Sequence, residues 1–390
     1  MAADVTIPLS VPHLGGNEWR YVKECLDTNW VSSVGPFVTR IERIMAERSG
    51  RAHAVATVNG TAALHVALLI AGVGPDEEVL MPALTFIAPA NAARYVGAWP
   101  VFIDVEPNHW QLDPAKLADF VHRECDWRDG ALWNRASGRR VRAVLPVDVL
   151  GHPVDADPII EIARSRELVV IEDATESLGA RYKERPAGTL GDLACFSFNG
   201  NKVVTAGGGG AIVTDNPAWA DRARYLTTQA KDDPVEYEHA AVGYNYRLTN
   251  IQAAVGVAQL ERLDDHVAKK RHIARTYTAA FAETRGLQPM TEADWAFSTF
   301  WLFTVLVDEQ KYGMDSRALR RALAANNIES RPLWQPLHRS GAHRNSQAYA
   351  VDVADTLYRR ALSIPSSVGL SEEDQCKVIG ALTERPVPAP

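Results

Sequence analysis

The chain is poor in cysteine: only Cys25, Cys125, Cys195 and Cys376 occur in 390 residues, and no two form a CxxC pair. Neither a zinc site nor a disulfide framework is expected from that spacing, and no metal is assigned. The thiols read as reduced, buried small hydrophobes of a cytoplasmic protein. An excess of positive charge is also missing: 41 Lys+Arg stand against 48 Asp+Glu, a formal net charge of −7. Such a surface repels phosphate backbones and argues against a nucleic-acid partner. Long apolar runs are absent as well. The longest, Ala62 to Gly74, contains His65 and is too short to span a bilayer, so no membrane partner is expected. The opening MAADVTIPLS has no basic segment followed by an apolar one, which excludes a signal peptide from the reading. No internal repeat is visible. A GxGxxG turn after an early strand is missing too, which weighs against a dinucleotide-dependent oxidoreductase.

What is present describes a folded protein. Hydrophobic residues make up 46% and charged residues 23%, enough apolar surface to offset chain entropy. At about 150 residues per domain the length allows two to three domains. Seven strand-like runs alternate with helical segments through the first two thirds: Ala54–Val58, Glu78–Met81, Pro100–Asp104, Arg142–Asp148, Leu168–Asp173, Ala194–Phe198 and Gly210–Thr214. Near-continuous apolar runs of this kind predict an α/β fold with a mostly parallel, seven-stranded sheet covered on both faces. Function in such sheets gathers at the carboxyl edge, where strands give way to helices. The Arg- and Trp-rich stretch 122–140 reads as a surface insertion. Residues 251–281 predict one long helix joining a large domain, 1–265, to a small C-terminal α+β domain, 266–390. The Pro-rich tail, ERPVPAP, is expected to fray.

Four features fall on successive strand edges. Asn59, Gly60 and Thr61 form a strand-to-helix turn, an anion site by its free N–H groups and helix dipole, or else a plain helix cap. Glu172 and Asp173 follow a strongly apolar strand, where a carboxylate is costly unless compensated. A metal is one compensator, but no His or Cys lies near. A cationic ring nitrogen is another. Lys202 follows Ser197 in a Gly/Asn turn; it is a surface charge or an imine-forming amine. Gly207 to Gly210 suggest a loop of close backbone approach or unusual φ. Taken in order, a phosphate site, a ring-nitrogen carboxylate, an imine lysine and a glycine loop point to pyridoxal 5′-phosphate (PLP).

Carried on Asn59–Leu64, Glu172–Ala180, Ser197–Lys202, Gly207–Gly210, Gly243–Ala254, Arg331–His338 and Leu362–Pro365, the sequence resembles the DegT–StrS family of PLP-dependent nucleotide-sugar aminotransferases. The resemblance implies a fold-type-I PLP-dependent transferase. It makes Lys202 the imine lysine and proton shuttle, Asp173 the partner of the ring nitrogen, and Glu176 a neighbour of the cofactor's phenolic oxygen. It assigns the phosphate to Gly60, Thr61 and Ser197 and a ring-stacking place to Phe86, which otherwise reads as a core aromatic. Asn245 would reach the phosphate of a neighbouring subunit, which implies a homodimer with active sites at the interface. The opening, Ile7 to Gly35, is similar to the branch acting at C4 of UDP-linked 4-keto-6-deoxy sugars, making 4-amino sugars of the legionaminic-acid or bacillosamine type. That branch would place Ser32, Ser33 and Gly35 near the substrate phosphates and make Arg331 and His338 candidates for sugar or amino-donor contacts. A Ser/Gly turn and a surface His–Arg pair are the alternatives. The implied reaction passes an amino group from L-glutamate, leaving 2-oxoglutarate, through the pyridoxamine form to a nucleotide-linked ketosugar for polysaccharide or glycan synthesis. C3 amination is the near alternative. A sugar dehydratase of the same family carries His in place of the lysine, and a non-enzymatic PLP-binding regulator would not keep every catalytic position.

Overall fold

The computed structural model describes residues 6–233 and 235–384. The first five residues and most of the ERPVPAP tail lie outside that range. The main sheet runs His53–Thr57, Gly210–Thr214, Leu193–Ser197, Val169–Asp173, Arg140–Val144, Glu78–Pro82, Trp99–Ile103, Ala348–Tyr349. The seven predicted strands therefore stand side by side along that path, whose pairings are parallel apart from those of Gly210–Thr214. The sheet has ten strands rather than seven. Ala348–Tyr349 extends one edge, and a hairpin, Cys125–Arg128 with Ala131–Asn134, joins it through Arg140–Val144.

That hairpin occupies most of the stretch 122–140 expected as a surface insertion. Asp129 and Gly130 both take positive φ, +52° and +67°. An Asp-Gly pair in that conformation makes a tight turn whose twist suits two antiparallel strands. Cys125, Ala131, Leu132 and Asn134 are buried, while Asp126, Trp127 and Arg128 face solvent. The Asn134 amide donates to Glu78 at 2.7 Å and to Gln347 at 2.6 Å, anchoring the hairpin to the sheet.

The single long helix expected over 251–281 is two helices, Asn250–Leu260 and Leu263–Phe281. The break falls at Glu261 and Arg262, which the N-terminal segment engages. Glu261 accepts from Tyr21 at 2.7 Å and from Arg40 at 2.6 Å, and Arg262 donates to the Gly15 carbonyl at 3.0 Å. The C-terminal part contains the expected α+β mixture. Its antiparallel sheet runs Leu287–Pro289, Phe303–Val307, Ala361–Ile364, Arg331–Pro332. Helices Ser316–Ala325, Asp352–Arg360 and Glu372–Thr383 belong to the same part of the chain. We propose the boundary at residue 265 as a division of the chain only. It falls within the Leu263–Phe281 helix, and one apolar core containing Ile7, Ile171 and Leu382 continues across it.

Candidate active site

The site is built where the strands end. The helix Gly60–Ile70 is capped by Asn59, whose side chain accepts from the Ala62 N–H at 2.7 Å. Its first-turn N–H groups and dipole favour an anion. Only glycine lets this helix end approach the neighbouring strand. A Cβ on Gly60 would lie 2.9 Å from Ser197 Cβ and 3.2 Å from Thr175 Cγ2. Gly60, Thr61 and Ser197 thus form a compact cradle of backbone donors and hydroxyls. The glycine run also behaves as expected: Gly207 and Gly209 have φ of +73° and +107°, and a Cβ on Gly210 would meet the Phe196 carbonyl at 2.6 Å.

Lys202 faces this cradle across a cavity of about 310 Å³ that Gly60, Thr61, Phe86, Glu176 and Ser197 also line. Its Nζ lies 3.5 Å from Glu176 Oε1 and 4.0 Å from the centre of the Trp301 ring. Glu176 is buried, and its other oxygen accepts from the Leu150 N–H at 2.8 Å. Burial outweighs the attraction of Lys202 and raises its carboxyl from 4.5 to about 7. Near neutrality this group holds or gives up a proton beside the Lys202 amine.

Glu172 and Asp173 are consecutive on one strand, so their side chains leave on opposite faces. Glu172 accepts from the Gly188 and Leu190 N–H groups at 2.7 and 2.8 Å and is structural. Asp173 accepts from the Thr175 N–H at 3.1 Å, and Thr175 lines the cavity. Asp173 itself is 2% exposed and does not line the cavity. Burial raises its carboxyl, and the Thr175 bonds and Lys202 hold it partly down. No ion pair joins it to a cation among the described residues. A buried carboxylate in that condition is stabilised by a cationic partner.

The remaining expected site residues are divided. Phe86 is 52% exposed and lines the Lys202 cavity as an open aromatic face, not as core. Asn245 lies elsewhere, with Ser33 and Gly35, on a cleft of about 510 Å³. Gly35 packs so closely that a Cβ would lie 2.4 Å from Asn250 Cγ, and Ser32 accepts from the Asn250 N–H at 2.6 Å. Arg331 lines a third cavity, about 350 Å³, which shares Asn201, Trp301 and Trp334 with the Lys202 cavity. Its guanidinium is paired with Glu329 at 2.7 Å. His338 lines none of these cavities; its Nε2 is 3.2 Å from Asp355 Oδ1.

Trp301 and Trp334 were not foreseen as site residues. Their rings are stacked, 6.4 Å apart and 14° from parallel. Tryptophan spacing carried no signal for this, because the two come together only through the antiparallel sheet of the C-terminal part.

The residues present fit PLP. The cradle suits its phosphate, the cavity its ring, and the buried Asp173 carboxylate a protonated ring nitrogen. Lys202 would hold the aldehyde carbon through Nζ. When bound, the cofactor supplies a carbonyl that carries the amino group and a ring that takes up the electron pair freed at the reacting carbon.

A site of this kind on this sheet defines a fold-type-I PLP-dependent transferase. The sequence profile of the DegT/DnrJ/EryC1/StrS aminotransferase family matches residues 12–383, and the chain belongs to that family. It is 40% identical over 380 residues to a GDP-perosamine synthase of Caulobacter vibrioides, covering 97% of this chain and 98% of the relative. It is 38% identical to the putative pyridoxal phosphate-dependent aminotransferase EpsN of Bacillus subtilis, covering 96% and 95%. Among solved structures, DesI with its TDP-sugar product superposes with a TM-score of 0.88 at 29% identity, covering 98% of this chain and 93% of that one. The chain is a PLP-dependent aminotransferase acting on a nucleotide sugar. Among the described residues no helix is long and apolar enough to cross a membrane.

Proposed function

We propose that the enzyme transfers an amino group from L-glutamate to the 4-keto group of a nucleotide-linked 4-keto-6-deoxy hexose, making a 4-amino sugar for surface polysaccharide. Guanosine diphosphate is the favoured nucleotide, because a well-matched relative is named a GDP-perosamine synthase. That name supports GDP over the UDP expected from the opening segment. The observation that carries the reading is the Lys202 amine, set between Glu176 and the Trp301 ring and facing the Gly60–Ser197 cradle.

Each residue has a definite task in this scheme. Lys202 Nζ removes the α-proton of the amino donor and later delivers a proton to C4 of the sugar. Glu176, 3.5 Å away, exchanges a proton with that amine. Asp173 holds negative charge on the buried side and favours the protonated ring nitrogen. Trp301 keeps water from the amine. Phe86 offers a flat face to a conjugated ring.

The active unit in this proposal is a homodimer, with Asn245, Ser33 and Gly35 presented to the partner's site. Their cleft is separate from the Lys202 cavity, and Trp19, Val34 and Val242 stand 79%, 67% and 80% exposed. A cytoplasmic location is supported by the free, buried Cys25, Cys125 and Cys195. The test is incubation with L-glutamate and 4-keto-6-deoxy hexoses linked to GDP or UDP, with product mass and proton couplings read for the aminated carbon. A 4-amino GDP-sugar is expected. Amination at C3 would overturn the regiochemistry, and conversion of the UDP-sugar alone would overturn the nucleotide.

A further inference from the structure

Lys270 lies on the Leu263–Phe281 helix, 3% exposed, and no carboxylate pairs with it among the described residues. Its ammonium donates to two backbone carbonyls, Trp301 at 2.9 Å and Ser366 at 2.7 Å. These belong to two segments, one entering the Phe303–Val307 strand and one leaving the Ala361–Ile364 strand. A lone buried cation is expensive, so the two carbonyl dipoles are what hold it there. Burial lowers its amine to about 7.

The segment it grips is conformationally costly. Phe300, just before Trp301, has a φ of +49°, a left-handed conformation disfavoured for a bulky side chain. Ser298 Oγ accepts from the Phe300 N–H at 3.1 Å, and the Trp301 indole N–H donates to the Asn201 carbonyl at 2.6 Å. The indole is thereby fixed at both ends: its own backbone by Lys270, its ring nitrogen by the loop that carries Lys202. The ring face then lies 4.0 Å from Lys202 Nζ.

We propose that Lys270 is a positioning residue for the reacting amine, clamping the strained turn at Trp301 so that the indole face stays on Lys202. The proposal rests on the reading of Lys202 as the imine lysine. An aromatic face attracts the amine's charge, so the clamp holds Lys202 in one place beside Glu176.

The experiment is acetylation of Lys202 at one fixed pH in the cofactor-free full-length chain, read by peptide mass spectrometry, for the wild type, K270M, K270Q, K270R, W301L and the K270M/W301L double variant. K270M is expected to raise the acetylation rate of Lys202 by about threefold to thirtyfold, the range of a lost cation–π contact. W301L should do the same, the double variant should go no further than either, and K270R should restore the wild-type rate. An unmoved rate in folded K270M, with that of W301L raised, would overturn the proposal. If K270M does not fold, K270Q decides: a smaller rise in the rate supports the clamp, and none overturns it. Failure of the parent reading looks different. Borohydride reduction of the PLP-loaded wild type would then fix the cofactor to a lysine other than Lys202.

Discussion

Glu176 makes the stability of this protein depend on pH in a way that replacement by Gln removes. Its folded carboxyl stands at about 7 against an ordinary 4.5. The folded value is the higher one, so the stability it contributes is present in full below the ordinary value and is lost as pH rises through about 7. That displacement corresponds to about 3 kcal/mol once both states are ionised. Between about pH 5 and about pH 9 most of that, roughly 2–3 kcal/mol, is lost, because part of it has already occurred at the acid end. E176Q stays neutral throughout and keeps an acceptor for the Leu150 N–H. Urea unfolding of the cofactor-free chain, at one fixed protein concentration, measures the difference. The wild type should lose roughly 2–3 kcal/mol relative to E176Q across that range. A difference that stays constant with pH would mean that Glu176 is charged throughout. It would refute both the burial argument and its role as a proton partner of Lys202.

Other substitutions separate the parts of the site. K202A should abolish turnover, a loss of at least about 10⁴-fold, while the protein still binds pyridoxamine phosphate; wild-type-like turnover would remove Lys202 from the reaction. D173N should leave the melting temperature near wild type and lower kcat by about 10² to 10³, and an unchanged rate would deny Asp173 the ring-nitrogen role. G60A should cost about 1–3 kcal/mol by overpacking against Ser197 and weaken PLP binding, measured by equilibrium dialysis; wild-type affinity would show that the cradle is not the phosphate site.

Much of this was legible in the sequence, for local reasons. Buried parallel strands write themselves as apolar runs, and the seven such runs form the unbroken path of the sheet. The turn at Gly60, the strand end at Asp173 and the loop at Lys202 each follow a strand, and the sheet order brings those strand ends to one edge. What was missed needed longer reach. The Asp129–Gly130 turn was masked by the charge around it, although an Asp-Gly pair between alternating residues is a hairpin signal. The helix break falls at Glu261, whose carboxylate meets Tyr21 and Arg40 from far away in sequence. Trp301 and Trp334 meet only after the C-terminal part has folded. His338 looked like a site residue in its motif, yet it is turned to Asp355.

The central claim is that this chain carries an amino group on a cofactor held by Lys202. The most direct test is the visible absorption spectrum of the PLP-loaded protein, before and after L-glutamate and then after a 4-keto-6-deoxy sugar nucleotide. A yellow band that bleaches with glutamate and returns with the GDP-linked ketosugar is expected in the wild type and not in K202A. A protein that develops no such band with PLP, or whose band ignores glutamate, would contradict it.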